Sequence, residues 1–377
     1  MNPLFSIIIP CYNQAHFLSQ CLEFLLIQEF KNWEAIVVND GSPDNTSEVV
    51  RNYAEKDYRI KLVEKINGGL SSARNFGIAN AIGSRFIFLD ADDFLYPNCL
   101  DKITEVLLDC NDNTLIQYGY TYVKEDGNEI LSHTNAQKKA SLIPDIFKGN
   151  LGPCHSICIS RSLAHAVGSF DESLKSVEDW DFWTRAVKAG GTQKIIPEKL
   201  VYYRYAKNSM SRDGFVMFDA LKKVIDRGPK KDMRITIESE LNKDYSFNSD
   251  RIIQQVLLRS LGVSVMQGKI DESIQFFKKN SPIPLEEYKV SDYEYMCSYL
   301  SFRYWYRPSD LKEVFEFIYP NFKMFFNQLG FDKSKTNKVL YHVFKRHFFY
   351  QNIFSYGKFI GSLVNFITRN YNEKLLA

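Results

Sequence analysis

The chain reads as an α/β domain, a mixed sheet sandwiched by helices, followed by a mostly α-helical C-terminal domain. Three observations predict this. Short apolar runs alternate with amphipathic segments over the first 120 or so residues. Three of those runs end in polar clusters, and beyond residue 230 the periodicity is helical. A length of 377 residues suits about two domains at roughly 150 residues each.

Phe5-Ser6-Ile7-Ile8-Ile9 is almost uninterrupted apolar sequence ended by Pro10, as in a strand buried on both faces. Residues 14–28 form an amphipathic helix with Phe17, Leu18, Cys21, Leu22 and Leu25 at helical spacing. Residues 34–38 are a second strand, closed by the turn residues Asn39-Asp40-Gly41-Ser42-Pro43. Helices are expected at 46–56 and 71–81, and strands at 60–63 and 85–89, the last running into Asp90. Such alternation implies a parallel sheet, whose ligands lie beyond the carboxyl ends of its strands. The polar clusters Cys11-Tyr12-Asn13, Asn39-Asp40-Gly41-Ser42 and Asp90-Ala91-Asp92-Asp93 all fall there. Later, 118–123 and 195–205 are strand-like and 178–189 is helical. The expected organisation is a catalytic domain over 1–213, a linker at 214–230 and a helical domain over 231–377 with helices at 251–266 and 271–279.

Asp90, Asp92 and Asp93 are the sharpest chemical feature. Three carboxylates within four residues repel one another unless a cation sits among them. In extended backbone Asp90 and Asp92 share a side, and oxygen ligands of this kind suit Mg²⁺ or Mn²⁺. The plainer alternative is that Asp93 caps a helix beginning at Phe94. Asp40 stands where it can accept a pyrimidine N–H, or simply close an Asx turn. Asn67-Gly68-Gly69 enters a helix carrying Arg74, an arrangement able to cradle a diphosphate. Glu178 and Asp179 begin a further helix, where acids favour the dipole. Beside Trp180, Phe182 and Trp183, one of them can also serve as a general base.

Taken in order, Ser6–Asn13, Val38–Ser42, Asn67-Gly68-Gly69 with Ala73–Gly77, Phe88–Asp93, Gly168–Glu172 and Glu178–Trp183 resemble the family 2 glycosyltransferases over residues 4–211. The resemblance implies a GT-A (Rossmann-like) fold and inverting transfer of a sugar from a nucleotide-diphosphate sugar, a UDP-sugar foremost. The sugar would go to a hydroxyl of a glycan or lipid-linked glycan, in cell-surface polysaccharide or glycoconjugate synthesis. It places Pro10, Tyr12, Asn13, Asp40, Gly69, Arg74, Asp90, Ala91, Asp92 and Arg204 around the donor. Mn²⁺ or Mg²⁺ would sit on Asp92 or Asp93, Asp92 being favoured. Asp179 would be the catalytic base, with Glu178 shaping the acceptor site. The family's Tyr-Arg-x-His-x-x-Ser-x-Ser run is here Tyr203-Arg204-Tyr205-Ala206-Lys207-Asn208-Ser209-Met210-Ser211. Ala206 replaces the histidine, and Lys207 is the substitute source of positive charge.

Two other classes share parts of this pattern. A metal-dependent sugar nucleotidyltransferase would bring a basic glycine-rich loop near the N-terminus, where this chain has Cys11-Tyr12-Asn13-Gln14. A non-catalytic nucleotide-sugar- or carbohydrate-binding module would not need Asp90, Asp92 and Asp179 together. No nucleic-acid partner is expected. The seven cysteines lack paired zinc spacing, and Cys154-His155 with Cys158 is read as free thiols in a reducing compartment. The first ten residues have no signal-peptide pattern and no apolar run approaches the ~20 residues of a spanning helix, so a cytoplasmic protein is expected. Residues 1–213 hold 22 Lys and Arg against 27 Asp and Glu, a net charge of −5, and residues 214–377 a net of +7. In the tail, Ile353, Tyr356, Ile360, Leu363 and Ile367 recur at helical spacing among Lys345, Arg346, Lys358 and Arg369. Such a stripe packs on its own domain or a second subunit, or lies on the anionic inner face of a membrane.

Overall fold

The computed structural model of the chain describes residues 2–205, 213–298 and 300–376, with side chains as far as Lys358 and at Ser362. Two compact units are present, Met1–Lys207 with Lys223–Phe247, and Asn208–Lys222 with Asn248–Ala377.

In the first unit, strands Phe5–Cys11 (β1), Trp33–Asp40 (β2), Ile60–Lys65 (β3) and Arg85–Phe88 (β4) alternate with helices Ala15–Leu26 (α1), Thr46–Ala54 (α2) and Leu70–Asn80 (α3). They lie in the order β3-β2-β1-β4 and run parallel. Every residue of β1 and β2 is buried, which explains their unbroken apolar composition: both faces are covered, so no alternation is needed. Leu18, Cys21, Leu22 and Leu25 of α1 join Ile7, Ile9 and Val37 in one core. The chain continues through Phe94–Leu95 (β5), Cys99–Leu107 (α4), Thr114–Val123 (β6), Ile130–Thr134 (β7), Leu142–Lys148 (α5), Ile157–Ser160 (β8), Arg161–Ala166 (α6), Glu178–Lys188 (α7) and Thr192–Arg204 (β9). These extend the sheet from β4 through β8, β6, β9 and β5, with β7 on β6. β8 is antiparallel to both β4 and β6, so the sheet is mixed, as expected.

Helix α3 approaches the sheet closely because Gly77 has no side chain. A Cβ there would stand 2.3 Å from Ile8 Cγ2 and 3.3 Å from Val38 Cγ2. Gly77→Ala is therefore expected to destabilise the first unit by about 1–3 kcal/mol through overpacking, read as a lower denaturation midpoint. An unchanged midpoint would contradict this close approach.

One short element departs from the reading as a helix start. Phe94 and Leu95 pair with Tyr202 and Val201 as β5, and Tyr96 stacks on Tyr202 at 4.0 Å. Asp93 therefore ends a turn and caps no helix. The 214–230 segment read as a linker contains a helix, Gly214–Arg227 (α8), with Phe218, Leu221, Val224 and Ile225 buried at helical spacing.

The second unit is helical, as expected. It contains Asp250–Met266 (α9), Ile270–Asn280 (α10), Pro308–Glu313 (α11), Tyr319–Gln328 (α12) and Lys333–Leu376 (α13), which kinks at Gly357. Phe302 and Phe344 stack at 5.0 Å, and Phe322 meets each edge-on at 5.3 Å. Among the described residues no helix is long and apolar enough to cross a membrane. Of the tail stripe, Tyr356 is exposed, while the side chains of Ile360, Leu363, Ile367 and Arg369 lie outside the described residues.

Candidate active site

Because β1 to β4 are parallel, their carboxyl ends share one edge of the sheet. Pro10 is buried within β1, and Tyr12 just beyond it is 51% exposed. Asn13 takes a left-handed backbone (φ 55°) and donates its N–H to Ser42 Oγ at 2.7 Å. Asp40, at the end of β2, is almost fully buried. Its Oδ1 accepts from Lys65 Nζ at 2.7 Å and from the Gly68 N–H at 3.0 Å, and its Oδ2 from the Gly69 N–H at 2.8 Å. The carboxylate thus folds the glycine loop ahead of α3, leaving a lone pair on Oδ2 for any base N–H. Gly69 has φ +87° with open space where a Cβ would stand, so ligand can approach the backbone there.

Arg74 joins three parts of the chain. Buried in α3, it donates Nη2 to Asp90 Oδ1 at 2.6 Å and Nη1 to Glu178 Oε1. Burial opposes its charge, but the surrounding anionic groups, Asp90 and Glu178 among them, hold the guanidinium charged well above its usual pKa.

The acidic turn after β4 closes with the Asp93 N–H on the Asp90 carbonyl at 2.9 Å. Asp90 has a side chain 31% exposed. Asp92 is half-buried and follows buried Ala91. Burial, then the charges of Asp93 and Asp90, push the Asp92 carboxyl well above the usual range. Asp93 is wholly buried. Its Oδ1 accepts the Arg204 N–H at 2.8 Å, and its Oδ2 lies 2.7 Å from His155 Nδ1. Burial raises the Asp93 carboxyl, with His155 opposing. The side chain of Arg204 is spent on the protein: Nε donates to the Asp92 carbonyl at 2.6 Å, Nη2 to Gln20 Oε1 at 2.5 Å, and Nη1 to the Glu125 carbonyl. Arg204 therefore clamps the turn to α1 and to the β6–β7 connection. Ala206 and Lys207 lie outside the described residues.

These residues fit a hard divalent cation. Among the described residues only Asp90 of the turn has a side-chain ion pair to arginine, and each carboxylate raises the cost of ionising its neighbours, which a cation would relieve. Asp90, Asp93 and His155 place one ligand atom each within 4.8 Å of one another. Asp92, the favoured ligand on sequence grounds, stands outside that set, and His155 enters it. The antiparallel register explains His155: Arg85 faces Ser160 and Ile87 faces Cys158, so three residues further on Asp90 comes opposite His155. That signal is invisible without knowing that β4 pairs with β8.

Glu178 and Asp179 open α7, preceded by Val177 with φ +53°. A β-branched residue in that region is strained. Asp179 is half-buried, and burial followed by the charge of Glu178, against Arg74, pushes its carboxyl up to about 7. The Asn150 side chain bonds it. Asp181, in the same turn, is instead paired with Arg185 at 3.0 Å and Arg234 at 2.9 Å, a scaffold network that also takes in Asp171, Arg227 and Asp232.

A family model described as glycosyl transferase family 2 matches residues 6–165. An uncharacterised glycosyltransferase of Rickettsia bellii is 39% identical over 191 residues, which are 48% of this chain and 27% of that protein. The uncharacterised glycosyltransferase EpsJ of Bacillus subtilis is 32% identical over 224 residues, 56% of this chain and 64% of that one. The chain thus spans less than two thirds of the length of these curated relatives. Among solved structures, residues 1–349 of S. aureus TarS in complex with UDP superpose with a TM-score of 0.50 at 19% identity, over 94% of this chain and 92% of that one. The same protein with UDP-GlcNAc gives 0.50 at 19%, over 91% of each. At that identity the likeness shows the fold, which is GT-A. The matched segment holds β1 to β4, the glycine loop, Arg74 and the whole acidic turn, so residues 6–165 carry the match to glycosyl transferase family 2.

Proposed function

We propose that this chain transfers a sugar from a UDP-sugar to a glycan hydroxyl with inversion at the anomeric carbon, Asp179 acting as the base. The observation that carries the reading is the Asp179 carboxyl, held near 7 and linked to the donor side through Glu178, Arg74 and Asp90. A group with that pKa both accepts and releases a proton at neutral pH. Asp179 takes the proton of the acceptor hydroxyl, and the acceptor oxygen attacks the anomeric carbon. The bond from that carbon to the diphosphate breaks, its electron pair leaving with the phosphate oxygen. Attack from the opposite face inverts the configuration. A divalent cation bound at Asp90–Asp93 would neutralise charge on the departing diphosphate. Asp40 and the glycine loop shape the nucleoside side, with Tyr12 as an exposed ring beside it. The fold's occupancy by UDP and UDP-GlcNAc in TarS supports a UDP-sugar. A lipid-linked or surface glycan is the acceptor class we favour.

The test is a thermal-shift panel of UDP-, GDP-, CMP- and TDP-sugars with and without Mn²⁺. UDP-sugars with Mn²⁺ are expected to raise the melting temperature, by ~2.7 kcal/mol of added stability at 100 times the dissociation constant. Asp90→Ala, which removes the half-buried member of the candidate cation set, should abolish that shift. Silence from every donor would overturn the proposal.

A further inference from the structure

His155 is 1% exposed, yet neither ring nitrogen has a hydrogen-bond partner among the described residues. A buried imidazole short of hydrogen bonds is costly and calls for an explanation. Its Nδ1 stands 2.7 Å from Asp93 Oδ2, which is also buried without a hydrogen bond. The two form a buried ion-pair contact, and Nε2 is left with no partner among the described residues. Neighbouring ligands on one ion, at bonds of roughly 2.1 Å and right angles, sit about 3 Å apart. Nδ1 and Oδ2 have nearly that spacing, and Asp90 brings a third ligand atom within 4.8 Å. The ring itself is held: Tyr203 packs edge-on at 4.5 Å, with Tyr120 at 6.1 Å on a similar tilt. It sits in the one-turn helix Cys154–Ser156, directly ahead of β8.

We infer that His155 is a direct ligand of the cation at the acidic turn, together with Asp93 and Asp90, and that the imidazole biases the site toward Mn²⁺ and Co²⁺ over Mg²⁺. An all-oxygen site suits Mg²⁺, whereas a neutral imidazole favours the later divalent ions. Asp92 stands outside this donor set. The inference rests on the proposed reading of the turn as a cation site.

Electron spin-echo spectroscopy of Mn²⁺ bound to the full chain tests it without relying on activity. The wild type should show coupling to an imidazole nitrogen, and His155→Gln should lose it. The variant should bind Mn²⁺ at least about tenfold more weakly, with a smaller loss for Mg²⁺. Bound Mn²⁺ without nitrogen coupling in the wild type would overturn the inference whatever the variant's stability, and would make His155 a buttress for Asp93. If Mn²⁺-dependent UDP-sugar shifts persisted in that case, the transfer reading would stand and only the ligand would fall. No Mn²⁺ binding at all would remove both.

Discussion

Asp179→Asn is expected to lower the turnover number by about 10²- to 10⁴-fold, the usual contribution of a positioned base, while raising the melting temperature at pH 8. The two effects share one cause. The Asp179 carboxyl sits near 7 in the folded protein and near 3.9 in an unfolded chain. Between those values the folded state holds the extra proton, so stability declines as pH rises through the window and the full penalty is present above pH 7. Asparagine does not titrate, so the stability gap between variant and wild type should widen from pH 4 to pH 8. Activity of the wild type should climb over the upper part of the same window and level off above it. Melting curves and initial rates across pH 4 to 9 check both. A variant that keeps wild-type turnover would remove Asp179 as the base.

Arg74→Ala is expected to cost about 3–5 kcal/mol, because it strands a buried negative charge. Glu178 is 6% exposed and has Arg74 as its salt-bridge partner, and Asp90 loses its pair at the same time. Arg74→Lys should recover only part, since a point charge cannot span two carboxylates as the forked guanidinium does. Adding Glu178→Gln to Arg74→Ala should restore some of the lost stability by removing the stranded charge. Urea midpoints of the three variants settle this, and a single Arg74→Ala variant within about 1 kcal/mol of wild type would show that the pair is dispensable.

The sheet up to β4 was readable because its signals are local. Apolar runs such as Phe5–Ile9 and the polar residues after them are contiguous in sequence, and parallel α/β order follows from their alternation. The acidic turn was readable for the same reason. What sequence hid depends on pairing between distant segments. Phe94-Leu95 looks like a helix start until Tyr202 is placed against it. Sequence places Arg204 around the donor but does not show its backbone and side chain bound to Asp93, Asp92, Gln20 and Glu125. His155 looks like a stray residue between two thiols until β8 is laid antiparallel to β4. Asp40 shows the same limit: its strand-end position was plain, but its two bonds to the glycine loop and its pair with Lys65 depend on how β3 and α3 meet.

The link between Arg74 and Glu178 spans 104 positions, which has a consequence for how the protein is made. A ribosome that has released the segment matched by the family model, residues 6–165, has delivered Arg74 and every aspartate of the turn, but neither Glu178 nor Asp179. In that interval the guanidinium has only Asp90 as its anion, and a cation that is still well hydrated resists burial. The family boundary is therefore not a folding boundary. A fragment ending at 165 should remain open around α3 and attract chaperones, and docking of the nascent α7 is the event that seals the chemistry into the sheet.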